Sequence, residues 1–201
     1  AGCYVRYPAD DLLDIVCLES HRAQAVVVGE DLGTVEDGVL EALAERNIAS
    51  YRVLWFEDDE PSSWPALSLA TVTTHDLPTV AGLWSGSDVD DVLASSDMAE
   101  ADVRTGRAEL LTRLGRAGVT EGDGVGGPEG VVAAAYRRLG GAGSLLLALS
   151  LEDALLEERR PNIPGTTADQ RDNWCIPLPV PVDEIPDHAS PRDLLAALRG
   201  G

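Results

Sequence analysis

Lysine is absent from this sequence: all 15 of its basic side chains other than histidine are arginines, set against 35 Asp and Glu, for a formal charge of −20. Such an excess repels phosphate backbones and anionic lipid surfaces, so nucleic acid is excluded as a partner, whereas a neutral ligand such as a sugar meets no penalty. A phosphate-cradling P-loop needs a lysine, so the glycine-rich run Gly122-Asp123-Gly124-Val125-Gly126-Gly127 reads as part of a mobile connection over residues 115–130. No apolar run reaches the roughly 18 residues that a membrane-spanning helix requires, and no membrane partner is expected. Cysteine is scarce: Cys3, Cys17 and Cys175 lie too far apart for a zinc or redox motif, so reduced thiols and a cytoplasmic location are expected. His21, His75 and His188 have no ligand spacing either, and no metal is expected. Residues 1–6 have neither the charged nor the apolar region of a secretion signal. The missing initial Met leads to the expectation that part of the protein precedes Ala1.

What is present is ordinary globular composition, with 44% hydrophobic and 25% charged residues, in a chain long enough for one substantial core or two small ones. Its apolar residues are patterned. Leu12, Leu13, Ile15, Val16 and Leu18 predict a helix over residues 10–22, begun by Pro8 and Asp10. The run Ala25-Val26-Val27-Val28 predicts a buried parallel strand. Thr34 and Asp37 stand at capping-box spacing before a second helix, which Asn47 stops. Further strands are expected over residues 51–56, 69–74 and 144–149. Helices are expected near residues 89–93, 99–114, 131–139, 153–160 and 191–199, with an irregular Pro-rich stretch over 161–186.

Alternating strands and helices at this spacing indicate parallel βα units. Four units amount to half of a (β/α)8 barrel, which typically takes about 250 residues; an open doubly wound sheet is the structural alternative. The polar residues favour the barrel. Glu30-Asp31 and His75-Asp76 directly follow strands, on the face where barrel enzymes carry their chemistry. Two carboxylates meeting over one cleft suit cleavage of a glycosidic bond, which needs a proton donor and a stabiliser of an oxocarbenium-like centre. Equally, Glu30 and Asp31 could cap a helix and His75-Asp76 could form the turn before Pro78. Spacing alone leaves both readings open.

The wording of the motifs is more specific. Val28-Gly29-Glu30-Asp31-Leu32-Gly33-Thr34-Val35 resembles the amylomaltase (4-α-glucanotransferase, glycoside hydrolase family 77) block that carries the general acid/base. Thr73-Thr74-His75-Asp76-Leu77-Pro78-Thr79 is similar to the family's Thr-His-Asp segment, and Asn162-Ile163-Pro164-Gly165-Thr166 with Asn173-Trp174 to its C-terminal stretch. Gly2-Cys3-Tyr4-Val5-Arg6-Tyr7-Pro8 and Val53-Leu54-Trp55-Phe56 also fit, so five blocks occur in family order.

The resemblance implies an α/β fold that is the C-terminal half of a (β/α)8 TIM barrel over residues 1–160, with residues 161–201 an irregular segment and helix packed on it. It implies Glu30 and Asp76 as catalytic residues, and His75, Asp31 and Trp174 as substrate-binding. Partners would be malto-oligosaccharides, glucose acceptors and the missing N-terminal part of the same enzyme; no cofactor or metal is implied. The family's aspartate nucleophile, in an Arg-x-Asp-His type block, has no counterpart here, and Asp10, Asp11 and Asp14 lie on a predicted helix. No activity is therefore expected of the chain alone, which leaves an α-glucan hydrolase fragment or a non-catalytic glucan-binding fragment as alternatives. Cys175-Ile176-Pro177 also departs from the family pattern, and no contact is carried over to it.

Overall fold

The computed structural model describes residues 5–116 and 127–199. In chain order the elements are α1 (Ala9–Ala23), α2 (Val39–Glu45), β1 (Ser50–Val53), β2 (Ser68–Thr71), α3 (Val80–Ser85), α4 (Ser87–Ser95), α5 (Glu100–Arg116), α6 (Gly127–Gly140), β3 (Leu146–Leu147), α7 (Leu151–Ala154) and α8 (Ala189–Arg199), with 3-10 turns at Pro61–Ser63 and Ile185–Asp187. The three strands form one parallel sheet in the order β1-β2-β3. Tyr51 stands opposite Leu69, and Leu69 in turn opposite Leu146.

The predicted strand at residues 25–28 shrinks to one parallel bridge, Val28 to Ala49, held by Gly29 N–H to Ala49 O at 2.8 Å and Ala49 N–H to Val27 O at 3.0 Å. It lies on the β1 side, so the parallel order becomes Val28, β1, β2, β3. The expected strand at 144–149 shortens to Leu146–Leu147, although Leu145 N–H to Ala66 O and Ala148 N–H to Ala70 O continue the hydrogen bonding at each end.

Helix boundaries moved for identifiable reasons. Thr34 does not cap α2; Gly38, at φ 88°, occupies that position and delays the start to Val39. The helix expected over 153–160 ends at Ala154, because Leu156 enters the left-handed region at φ 58° and Glu157 N–H closes onto Glu152 O. Helix α3 was not expected. Thr79 caps it, its Oγ1 accepting from Gly82 N–H at 3.0 Å. Residues 117–126 of the predicted mobile connection lie outside the described residues, while Gly127 and Gly130 belong to the first turn of α6.

One core holds these pieces. Val53, Trp55 and Val72 from the sheet side meet Val80 and Leu83 of α3, Val131, Val132, Tyr136 and Leu139 of α6, and Leu194 and Leu198 of α8. A smaller cluster of Val89, Val92, Val103 and Ile163 joins α4 and α5 to the segment after Pro161. Gly82 is required by the packing: a Cβ there would stand 2.1 Å from the Glu158 carbonyl oxygen, which also accepts from Thr79 Oγ1 at 3.1 Å.

Beneath α3 lies a buried polar cluster. Asp153 accepts from Val80 N–H at 2.7 Å and from the Tyr136 hydroxyl at 2.8 Å, and that hydroxyl accepts from Ser150 N–H at 3.1 Å. Burial pushes Asp153 up to about 6 from an ordinary 3.8, against the lowering pull of both donors, and also raises Tyr136.

Candidate active site

The carboxyl-terminal edge of the sheet carries the sequence-predicted residues. After β2 the chain turns at residues 73–79, where Thr73 Oγ1 donates to Pro78 O at 2.8 Å and pins the turn before α3 begins. This leaves His75 and Asp76 projecting, their side chains 56% and 43% exposed. His75 Nε2 lies 3.3 Å from Asp76 Oδ1.

A second segment closes over this turn. Residues 160–174 have almost no regular structure, so their backbone groups are satisfied by tertiary hydrogen bonds instead. Asn162 N–H donates to His75 O at 3.1 Å, and Asn162 Nδ2 donates to Asp76 Oδ1 at 2.7 Å. Arg160 donates to Asp76 O at 2.9 Å while holding Asp88 of α4 through two bonds, of 2.7 and 2.5 Å. Arg171 pairs with Asp91 of α4 at 2.8 Å and donates to Arg160 O and to Asn173 Oδ1. Asn173 Nδ2 reaches Thr166 Oγ1 at 2.7 Å, and its Oδ1 also accepts from Ile163 N–H at 3.1 Å.

Trp174 sits at the end of this network with φ 63° and donates its N–H to Pro161 O at 2.9 Å. Its ring centroid is 4.9 Å from that of His75, tilted by 49°, yet the residue stays 64% exposed. An aromatic held on one side and open on the other can receive the apolar face of a sugar ring. Trp55 and Trp64 are buried, and Trp84 packs partly buried on the core.

Glu30 and Asp31 follow the Val28 bridge, one strand position further along the sheet, with β1 between them and the His75-Asp76 turn. Glu30 is exposed and accepts from Leu32 N–H at 2.9 Å. Asp31 turns toward the sheet, where its Oδ1 accepts from Tyr51 N–H at 2.8 Å. Tyr51 links the two sides. Burial raises its hydroxyl pKa and the charge of Glu30 raises it further, while its ring lines a cavity of about 210 Å³ with Thr73, Thr74, His75, Ser150 and Glu152. A second cavity of about 420 Å³ borders Asp76 and is walled by Leu77, Pro78, Met98, Leu110 and Ile163.

His75 is thus brought against both Asp76 and Trp174, and Glu30 and Asp31 lie on the same edge without a direct contact to them. Sequence reasoning gave no role to Asn162, although it lies in a quoted motif, nor to Arg160 or Arg171. The available signal was Arg160 directly before the Pro-Asn-Ile-Pro run and Arg171 a few residues beyond it, in a chain whose cations are far outnumbered by acids. Among the described residues no cluster of His, Cys, Asp and Glu suits a metal ion, and Cys17 and Cys175 are unpaired. No helix is long and apolar enough to cross a membrane among the described residues.

Residues 1–182 match the family model described as 4-alpha-glucanotransferase. The chain is similar to a 4-alpha-glucanotransferase of Mycobacterium bovis, 40% identical over 196 residues that cover 90% of this chain and 27% of that protein. A 4-alpha-glucanotransferase of Haemophilus influenzae is 32% identical over 199 residues, covering 90% of this chain and 28% of its own length. The crystal structure of amylomaltase from Corynebacterium glutamicum superposes with a TM-score of 0.84 at 31% identity, over 98% of this chain and 32% of that one. Amylomaltase from Streptococcus agalactiae in complex with acarbose gives 0.60 at 15% identity, over 98% and 35%, a likeness of fold alone. The chain therefore spans little more than a quarter of the length of the curated relatives it matches.

Proposed function

From the premise that this chain belongs to the 4-alpha-glucanotransferase family, glycoside hydrolase 77, we propose that it supplies the acid/base half of a retaining glucanotransferase site. The enzyme moves α-1,4-glucan segments from malto-oligosaccharide donors to sugar acceptors, glucose among them. In a double displacement, a carboxylate nucleophile from outside residues 1–201 attacks the anomeric carbon while Glu30 protonates the departing sugar oxygen. Glu30 then takes the proton of the incoming acceptor hydroxyl as the glucosyl-enzyme bond breaks. Asp76 stabilises the electron-poor ring in the transition state of each step, His75 and the free oxygen of Asp31 hold sugar hydroxyls, and Trp174 receives a ring face. The chemistry needs no cofactor, and the working place of the enzyme is the cytoplasm.

The observation that carries this reading is the contact cluster of His75, Asp76, Asn162 and Trp174, which joins two family motifs more than 80 residues apart at one sheet edge. In this reading residues 1–160 are the C-terminal half of a (β/α)8 barrel and residues 161–201 pack on it through α8. The successive parallel order Val28, β1, β2, β3 supports that, since a barrel adds its strands in sequence. The rest of the protein then closes the sheet and covers α1, whose Leu12, Ile15 and Leu18 are 48%, 55% and 48% exposed.

Glu30→Gln in the full-length enzyme tests the assignment. With maltotriose as substrate, transfer falls by roughly 10²-fold or more, the scale for loss of a general acid/base, and the melting temperature stays put. Near-normal redistribution of oligosaccharides in the variant removes Glu30 from the mechanism.

A further inference from the structure

We infer that Asn162 is the positioning residue for the Asp76 carboxylate, and that its side-chain amide sets which oxygen of Asp76 faces the reacting sugar; the inference rests on the assignment of Asp76 above. Asp76 is less constrained by its own turn than its role demands. Within the turn, its backbone N–H reaches Thr74 Oγ1 and His75 Nε2 stands off its Oδ1, both only at 3.3 Å, and its side chain is 43% exposed. The short hydrogen bond to that side chain comes from across the fold: Asn162 Nδ2 donates to Oδ1 at 2.7 Å. Among the described residues Oδ2 has no hydrogen-bond partner, so the amide occupies one oxygen and leaves the other to the cleft.

Asn162 is itself rigidly placed. Its backbone N–H is tied to His75 O. The residues on either side are anchored too: Arg160 is clamped to Asp88, both side chains nearly buried, and Ile163 N–H is bonded to Asn173 Oδ1. Arg160 also holds the Asp76 carbonyl. Backbone and carboxylate of Asp76 are therefore located by one strap, Arg160 to Asn162, anchored on α4. A carboxylate that stabilises a transient cation works through its distance and direction to one ring atom, so freedom to rotate about χ1 and χ2 lowers the rate without weakening ground-state binding.

The experiment compares Asn162→Asp, Asn162→Ala and Asp76→Asn in the full-length enzyme with maltotriose, reading kcat and KM separately. Asn162→Asp keeps the side-chain shape but removes the donor and sets a second carboxylate against Oδ1. We expect kcat to fall by roughly 10²-fold in Asn162→Asp, at least as far as in Asn162→Ala, with KM held within about twofold. Partial misfolding alone lowers apparent kcat at constant KM, so kcat is taken per folded enzyme, with the folded fraction of each variant read from its thermal melt. A purely structural role gives the reverse ranking, with the isosteric Asp variant near wild type and Ala impaired in melting temperature; that ranking overturns the inference. Wild-type kcat in both Asn162 variants, with Asp76→Asn inactive, also overturns it while leaving the assignment of Asp76 intact. An active Asp76→Asn overturns the assignment itself.

Discussion

Residues 5–47 and residues 48–199 are patterned alike in sequence and behave oppositely in the structure. Both contain helices with apolar residues at helical spacing, but α1 and α2 bury no residue, whereas α6 buries Val131, Val132, Ala135, Tyr136 and Leu139. Helix α1 is held instead by polar contacts at one point. Arg46 donates to Asp14 and Asp10 at 2.8 and 2.9 Å, and Cys17 Sγ donates to Arg46 O at 3.5 Å. Exposed ion pairs of this kind stabilise little, so the first region contributes an apolar surface rather than stability. The difference teaches that amphipathic spacing announces a surface made to be buried, and leaves open what buries it.

Three changes in the 201-residue chain sharpen or break that contrast. The largest effect is expected at Gly82, where α3 rides against the chain at Glu158 with no room for a side chain. Gly82→Val costs about 3 kcal/mol or more in urea unfolding, the upper range for overpacking. A loss under about 0.5 kcal/mol, the range of surface substitutions, would mean that this contact is not part of the core.

Next comes the pH dependence set by Asp153. Its folded pKa is raised to about 6 from 3.8, so the folded chain holds a proton that the unfolded chain has released. The corresponding stability is complete below about pH 4 and is lost as pH rises through 6, on the order of 3 kcal/mol in all. Asp153→Asn removes this term, so the difference between the two unfolding-versus-pH curves changes across that window and is flat above it. Parallel curves from pH 4 to 7 refute the expectation.

The smallest effect belongs to the first region. Leu12→Ser with Ile15→Ser changes the stability of the isolated chain by no more than about 0.5 kcal/mol, because both side chains already face solvent. The same pair of changes in the full-length protein lowers the melting temperature by several degrees if the remainder of the chain covers α1. A loss in the isolated chain as large as that at Gly82 would show α1 to be part of the core after all.

Where the sequence was legible, the signal was local. The Leu69-Ala70-Thr71 stretch of β2 and the Tyr51-Arg52-Val53 stretch of β1 form strands in register, and Asn47 stops α2 as expected, entering the left-handed region at φ 54°. Where it was not, a competing backbone conformation or a missing partner decided the outcome. Thr34 with Asp37 carried the spacing of a capping box, yet Gly38 starts the helix. The strand at 25–28 is reduced to a bridge because little pairs with it on its outer side, and extended backbone needs a partner for its N–H and C=O groups.

The sequence by itself determined the family, the parallel α/β character and the identity of Glu30, His75, Asp76 and Trp174 as residues to watch, since each of these is written in contiguous stretches whose order along the chain is all that is needed. Only the tertiary structure decided that Asn162 grips Asp76, that Asp31 turns to Tyr51 N–H, that Asp153 anchors the start of α3 and that α1 lies uncovered. Those pairings span 20 to 86 residues. Local periodicity fixes which groups are able to be buried or bonded; which group meets which is set by how the packed layers bring distant segments within hydrogen-bond reach.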